Sequence, residues 1–287
     1  MLCKSQSCSC DSSPDRLKAN LKIRGRSDPS LWHFAMAVIK MIIAYDGTAY
    51  CGWQIQSKQK TLQATLEQAL AEVIGTPTRV MASGRTDAGV HAMGQAVSFD
   101  TESNLPCDVL RRAVQSRLPP DMAILDAVPV EDTFHPIRDA VSKRYRYVLN
   151  DALIPNVFSR RYCWHYPAPL SASAMARAGT MLVGQHDFAS FQSSGAPRES
   201  TVRTISCLSV ERQGNLDRGE IWIEVEADGF LYNMVRAIVG TLTEVGRGAR
   251  SEAWCGEVLA ARDRSHAGPT VPPQGLFLLF VNYGVAS

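Results

Sequence analysis

The chain has 287 residues, 45% hydrophobic and 20% charged, which points to a mostly globular, soluble protein large enough for one large domain or two fused halves. Its 8 cysteines include five scattered singly at Cys51, Cys107, Cys163, Cys207 and Cys255, which argues against a disulfide framework and for a reducing compartment. A net charge of +2 is too mild to announce a nucleic-acid partner by itself, and no apolar run is long enough to span a membrane.

Residues 1–36 read as a poorly ordered tail, polar and carrying Asp11, Asp15 and Asp28, which speaks against a secretory signal or a transit peptide. Met36 and Met41 stand as alternative start sites. Cys3, Cys8 and Cys10 lack a fourth ligand at zinc-like spacing, so no metal is expected there. A strand is predicted over residues 37–46. A helix follows over 62–74, with Leu62, Leu66, Ala69, Leu70 and Val73 on one face, Thr61 as its cap and Gly75 at its end. Strands over 78–82 and 95–99 flank a polar hairpin. Asp108 is predicted to cap a helix running to Leu118, stopped by Pro119 and Pro120, before a strand over 123–128.

A similar rhythm follows: a strand over 141–149, a helix over 171–183 ended by Gly184, strands over 202–211 and 220–227, helices over 230–245 and 251–261, and a strand over 276–281. The element order predicts an α+β fold of two ferredoxin-like βαββαβ-type halves, with mainly antiparallel sheets joined around a cleft. The expected organisation is a tail over 1–36, an N-terminal half over 37–138 and a C-terminal half over 139–287.

The hairpin reads Ser83-Gly84-Arg85-Thr86-Asp87-Ala88-Gly89-Val90-His91. A carboxylate on a glycine-bounded loop between strands can be aimed into a cleft, although Asp and Gly also suit an ordinary surface turn. Arg111-Arg112, Lys143-Arg144-Tyr145-Arg146 and Arg160-Arg161-Tyr162 are basic clusters, two of them beside tyrosine. They suit either an RNA backbone or a solvated face.

Six segments occur in register. They are Tyr45-Asp46-Gly47 with Gly52-Trp53-Gln54; the hairpin; Lys143-Arg144-Tyr145-Arg146-Tyr147; Asp187-Phe188-Ala189-Ser190-Phe191; Phe230 with Asn233-Met234-Val235-Arg236; and Gly275-Leu276. Together, from about residue 38 onward, the chain resembles the tRNA pseudouridine synthase A family. It departs from the family's pattern in the Cys/Ser-rich tail and in Thr270-Val271-Pro272-Pro273 before Gly275.

The resemblance implies the pseudouridine synthase fold with a central basic cleft, and isomerisation of uridine to pseudouridine at positions 38, 39 and 40 of the tRNA anticodon stem-loop. It implies no metal or other cofactor, a homodimer and a cytoplasmic enzyme. It assigns Asp87 as the catalytic nucleophile and Arg236 as its ion-pair partner, which a carboxylate ionised in a cleft requires. It assigns Tyr145 to base stacking and proton transfer, with Leu276 beside the substrate. Arg85 is matched to holding the target base out of the stack; a simple salt bridge to Asp87 is the alternative. Strand alternation puts Tyr145 and Tyr147 on one face and Arg144 and Arg146 on the other. Arg111, Arg112, Lys143, Arg144, Arg160 and Arg161 are expected candidates for tRNA-backbone contacts. The competing function is a catalytically inactive tRNA-binding chaperone. A nucleoside hydrolase would ordinarily need a second acid near Asp87.

Overall fold

The computed structural model describes residues 36–284 apart from 194, 196–199, 215 and 216. The expected tail, with its cysteine trio, lies outside the described residues except for Met36. Strand β1 (Ala37–Tyr45) buries Ile39, Met41, Ile43 and Tyr45 on one face, as the two-residue strand period requires. It is the inner strand of the first half, antiparallel to both β3 (His91–Thr101) and β4 (Met122–Val130).

Helix α1 (Leu62–Ile74) matches its predicted bounds, and Gly75 closes it in the left-handed region at φ 86°. Leu66 and Leu70 are wholly buried beneath it, each contributing about 2 kcal/mol of transfer free energy. Thr61, however, makes no side-chain cap. Instead the Leu62 and Gln63 N–H groups donate to the carbonyls of Gly52 and Trp53, at 3.2 and 3.0 Å. A distant backbone segment thus satisfies two of the helix's orphan donors, and the buried Thr61 hydroxyl has no partner among the described residues.

The strand predicted over 78–82 shrinks to β2 (Met81–Ala82). Side chains of α1 take the backbone groups of Val80: Glu67 accepts from its N–H and Gln63 donates to its carbonyl, both at 3.0 Å. Helix α2 (Cys107–Gln115) starts after Pro106 and ends earlier than predicted. Asp108 lies inside its first turn and pairs with Arg112 at 3.0 Å rather than capping it.

The second half contains β5 (Ser142–Asn150), β6 (Trp164–His165), α3 (Ala172–Gly179), β7 (Gly184–Asp187), β8 (Val202–Arg212), β9 (Glu220–Ala227), α4 (Met234–Gly246), α5 (Trp254–Ala261) and β10 (Leu276–Asn282). A 3-10 turn completes the helical stretch after α3, and the short β6 and β7 were not predicted. Helix α4 starts four residues later than expected, because Asn233 before it sits in the left-handed region at φ 60°. Helix α5 likewise starts at Trp254 rather than 251.

All the strands among the described residues belong to one ten-stranded sheet, ordered β4-β1-β3-β10-β5-β9-β8-β7, with β2 on β3 and β6 on β5. With the short β6 and β7 set aside, each half has four strands in the spatial order fourth-first-third-second: β4-β1-β3-β2 and β10-β5-β9-β8. Only β10–β3 and β5–β6 are parallel; the other pairings are antiparallel. The fold is therefore mixed α+β with a mostly antiparallel sheet. The two halves fuse where the last strand, β10, lies between β3 and β5.

Candidate active site

The outer edge of β3 is divided. Strand β2 pairs with Val97 and Ser98, and β10 pairs with His91 and Ala92. The loop carrying Asp87 joins β2 to β3 and therefore emerges at the seam between the halves. Its backbone is tied down on several sides. The Ser83 carbonyl accepts from Lys143 Nζ at 2.5 Å, and the Gly84 carbonyl accepts from Gln95 Nε2 at 2.8 Å. The Thr86 carbonyl accepts from the Trp53 N–H at 3.0 Å, and the Asp87 carbonyl from the Val90 N–H at 3.1 Å. Below the loop, the buried Tyr45 and Thr86 hydroxyls lie 2.8 Å apart. These bonds tie the loop to the scaffold.

Asp87 Oδ2 faces Arg236 Nη1 at 3.4 Å, with side-chain exposures of 27% and 16%, so both groups are mostly withdrawn from water yet reachable. Arg236 is anchored by Nε donating to the Val271 carbonyl at 2.7 Å and by Nη1 donating to Asn233 Oδ1 at 2.9 Å. Nη1 therefore serves both Asn233 and Asp87, the contact with the carboxylate being the longer. Burial raises the Asp87 pKa, and Arg236 opposes that shift without overcoming it. The carboxylate is thus poorly solvated and held beside a fixed cation.

Tyr145 is buried on β5, with its ring edge-on to Phe230 at 5.0 Å between centroids. Burial raises its pKa, with Tyr45 and Asp87 adding to the shift, so its hydroxyl stays protonated and able to donate. Tyr145, Leu276, Asp87 and Arg236 line one open cleft of about 1990 Å³.

The predicted cations divide between the faces of the molecule. Arg85 is exposed on the cleft-lining loop and forms no ion pair with Asp87; that carboxylate is taken by Arg236. Lys143 also lines the cleft. Arg144 and Arg146 leave the opposite face of β5, where Glu226 and Glu224 stand directly across on β9 and pair with them. Neither Arg144 nor Arg111, Arg112, Arg160 and Arg161 lines the cleft among the described residues. Arg111 donates to the Ile124 carbonyl and Arg160 to that of Val157, while the Arg161 carbonyl lies 2.9 Å from His91 Nε2.

His91 is buried, and burial lowers its pKa. Its Nδ1 accepts from the Gly47 N–H at 3.1 Å, which leaves Nε2 to donate to Arg161. The ring is therefore a neutral, hydrogen-bonded part of the scaffold, and the nearby Asp46 carboxylate does not form an ion pair with it at neutral pH. Sequence reasoning missed the cleft cations Arg79, Arg138 and Arg203, which stand singly rather than in basic clusters. It also missed Tyr45 and Gln95 as supports of the loop, which only the fold brings beneath it.

Among the described residues no group of three or more His, Cys, Asp or Glu is placed to hold a metal ion, and no helix is long and apolar enough to cross a membrane.

Two repeated sheet halves are thus fused so that a poorly solvated aspartate opens from the seam into a wide cleft. Comparison with known proteins gives the class. Residues 41–138 and 178–284 match the family described as tRNA pseudouridine synthase. The chain is 45% identical over 248 residues to tRNA pseudouridine synthase A of Brevibacillus brevis, covering 86% of this chain and 100% of that protein. It is 44% identical over 250 residues to the protein of that name from Moorella thermoacetica, and 41% over 248 residues to that of Thermoanaerobacter sp. (strain X514), with the same coverage of each. The chain belongs to the tRNA pseudouridine synthase family; it is an isomerase, and its reaction is the conversion of uridine to pseudouridine in tRNA.

Proposed function

We propose that the enzyme acts on uridines 38, 39 and 40 of the tRNA anticodon stem-loop, with Asp87 as nucleophile and the target base flipped out of the helix. The observation that carries this reading is the Asp87–Arg236 pair, opening into the cleft that Tyr145 also lines. The reaction breaks the N1–C1′ bond, turns the uracil, forms a C5–C1′ bond, and moves one proton from C5 to N1. It is balanced without an oxidant, reductant or cofactor. Asp87 acts as nucleophile: its carboxylate bonds either to ribose C1′ as the N1–C1′ bond breaks or to the uracil ring, and it is released when the C5–C1′ bond forms; Arg236 favours its ionised form. Tyr145 offers its ring to the uracil and its hydroxyl as a proton donor, with Leu276 beside the base.

A uridine paired in a stem hides its glycosidic bond, so the nucleotide must leave the stack. Arg85, exposed on the same loop as Asp87, fills the gap and contacts phosphate. The remaining basic candidates, Arg111, Arg112, Arg160 and Arg161, contact the tRNA body beyond the cleft. The enzyme works in the cytoplasm, in keeping with free thiols at Cys51, Cys107, Cys163, Cys207 and Cys255. It acts as a homodimer that a single long tRNA bridges. Supporting a subunit contact, Leu153, Ile154, Val157 and Phe158 stand exposed between β5 and β6, Phe158 at 89%.

The test is to incubate the enzyme with tRNA transcripts bearing uridine at each position and to map pseudouridine chemically. Wild type is expected to yield product at these sites, and Asp87→Asn none while still binding tRNA, since phosphate contacts supply affinity. Tight binding by wild type without product would favour the chaperone reading, and release of free uracil would favour hydrolysis.

A further inference from the structure

We propose that Lys143 is a positioning residue for the Asp87 loop, an inference that rests on the catalytic reading of that loop. Lys143 lies on β5 two residues before Tyr145. Strand alternation sends both side chains from the same face, roughly 7 Å apart along the strand. The Lys143 ammonium donates to the Ser83 carbonyl at 2.5 Å, at the root of the loop. A Cβ on the next residue, Gly84, would lie 3.4 Å from the same nitrogen, so the lysine seats against loop backbone that carries no side chain.

One strand of the second half thus carries both the aromatic ring of the site and the cation that grips the nucleophile loop of the first half. Gln95 fixes the neighbouring Gly84 carbonyl, but it does so from β3, within the first half. Tyr45 and Trp53 also hold the loop from the first half. Of these loop-backbone anchors, Lys143 is the one that refers the loop to Tyr145. Arg236 reaches the carboxylate itself rather than the loop backbone. Lys143 therefore sets the separation between the Asp87 carboxylate and the base platform. A lysine in a cleft that receives RNA would ordinarily be counted as a phosphate contact, and the two roles part in their kinetics.

The experiment compares full-length wild type, Lys143→Met and Lys143→Arg. Single-turnover rates are measured at saturating enzyme, tRNA Kd across a salt series, and amide hydrogen exchange over residues 83–90. Lys143→Met is expected to slow the saturated rate roughly 10- to 100-fold, as a misplaced reacting group does. Its Kd and salt dependence stay within about twofold of wild type, and exchange in the loop quickens while the rest of the sheet is unchanged. Lys143→Arg keeps a donor and recovers most of the rate. The proposal is overturned if Lys143→Met instead weakens binding and flattens its salt dependence by about one phosphate contact with the saturated rate intact. It is equally overturned if loop exchange is unchanged. Exchange reads the loop whether or not product forms, so a wild type that makes no pseudouridine refutes the reaction and leaves the anchoring separately measured.

Discussion

Gly52 stands so close to Thr86 that a Cβ on it would lie 2.8 Å from the Thr86 carbonyl oxygen and 3.2 Å from the Asp87 carbonyl carbon. Its φ of 88° is one that L side chains rarely adopt. Gly52→Ala is therefore expected to lower the stability of the fold by about 2 kcal/mol and to push the Asp87 loop outward. A thermal melt reads the first effect and the single-turnover rate the second. A variant as stable and as active as wild type would show that the loop has slack.

The pH–rate profile should report Asp87. Burial raises its pKa above the ordinary carboxylate value, and the ionised form is the reactive one. The acid limb of the saturated rate is thus expected above the range of an exposed aspartate, with activity lost as pH falls through it. Arg236 supplies the influence that lowers the pKa, so Arg236→Gln should move the limb to still higher pH, as well as slowing the reaction and reducing folded yield. Stability runs the opposite way with pH. A folded-state pKa above the unfolded one means that deprotonation of Asp87 opposes folding as pH rises through that window. Asp87→Asn should accordingly flatten that part of the stability curve, which denaturant melts across pH would measure.

Tyr45 and Thr86 test the floor of the loop. Tyr45→Phe leaves the buried Thr86 hydroxyl without its partner, and Thr86→Val leaves the Tyr45 hydroxyl only Gln95. Each single change is expected to cost about 1–2 kcal/mol, with the double variant costing less than the sum because no polar group is then stranded. Denaturant midpoints of the four proteins close the cycle. Strict additivity would mean that the two hydroxyls do not interact.

Arg85 and Arg144 form a contrast between faces. Arg85→Ala should reduce the saturated rate on tRNA by about tenfold, as the loss of one displacing group. Arg144→Ala should leave rate and Kd near wild type, because its guanidinium faces away from the cleft and pairs with Glu226. A larger effect of Arg144 than of Arg85 would place the RNA on the opposite sheet face.

Local features were legible in the sequence where local physics decides them. Helix α1 has its leucines at helical spacing and a glycine free to turn left-handed, so both bounds followed. Thr61 misled because the groups that satisfy the N–H donors of α1 come from Gly52 and Trp53, nine or ten residues earlier in the chain. Likewise β2 came out short because Glu67 and Gln63, one turn apart on α1, claim the backbone of Val80. Asp108 suited a helix start by type but sits beyond Pro106, where the chain has already turned helical.

The site was legible by resemblance and not by pattern. Asp87 and Arg236 are 149 residues apart, and no periodicity links them. The alternation along β5 did forecast that Tyr145 and Arg144 point to opposite faces. What it could not forecast was the acidic row on β9 that receives the arginines, because strand register is set by the whole sheet. Arg79, Arg138 and Arg203 stand singly in the sequence and carried no signal until folding brought them to one cleft.

The seating of β10 between β3 and β5 has a consequence for biogenesis. A chain leaving the ribosome holds β1 to β9 before it holds residues 276–282, the strand that joins the halves. Until then β3 and β5 each present an unpaired edge, open to mispairing with other nascent chains. The cleft is therefore completed only when residues 276–282 close the longest-range pairing of the described sheet.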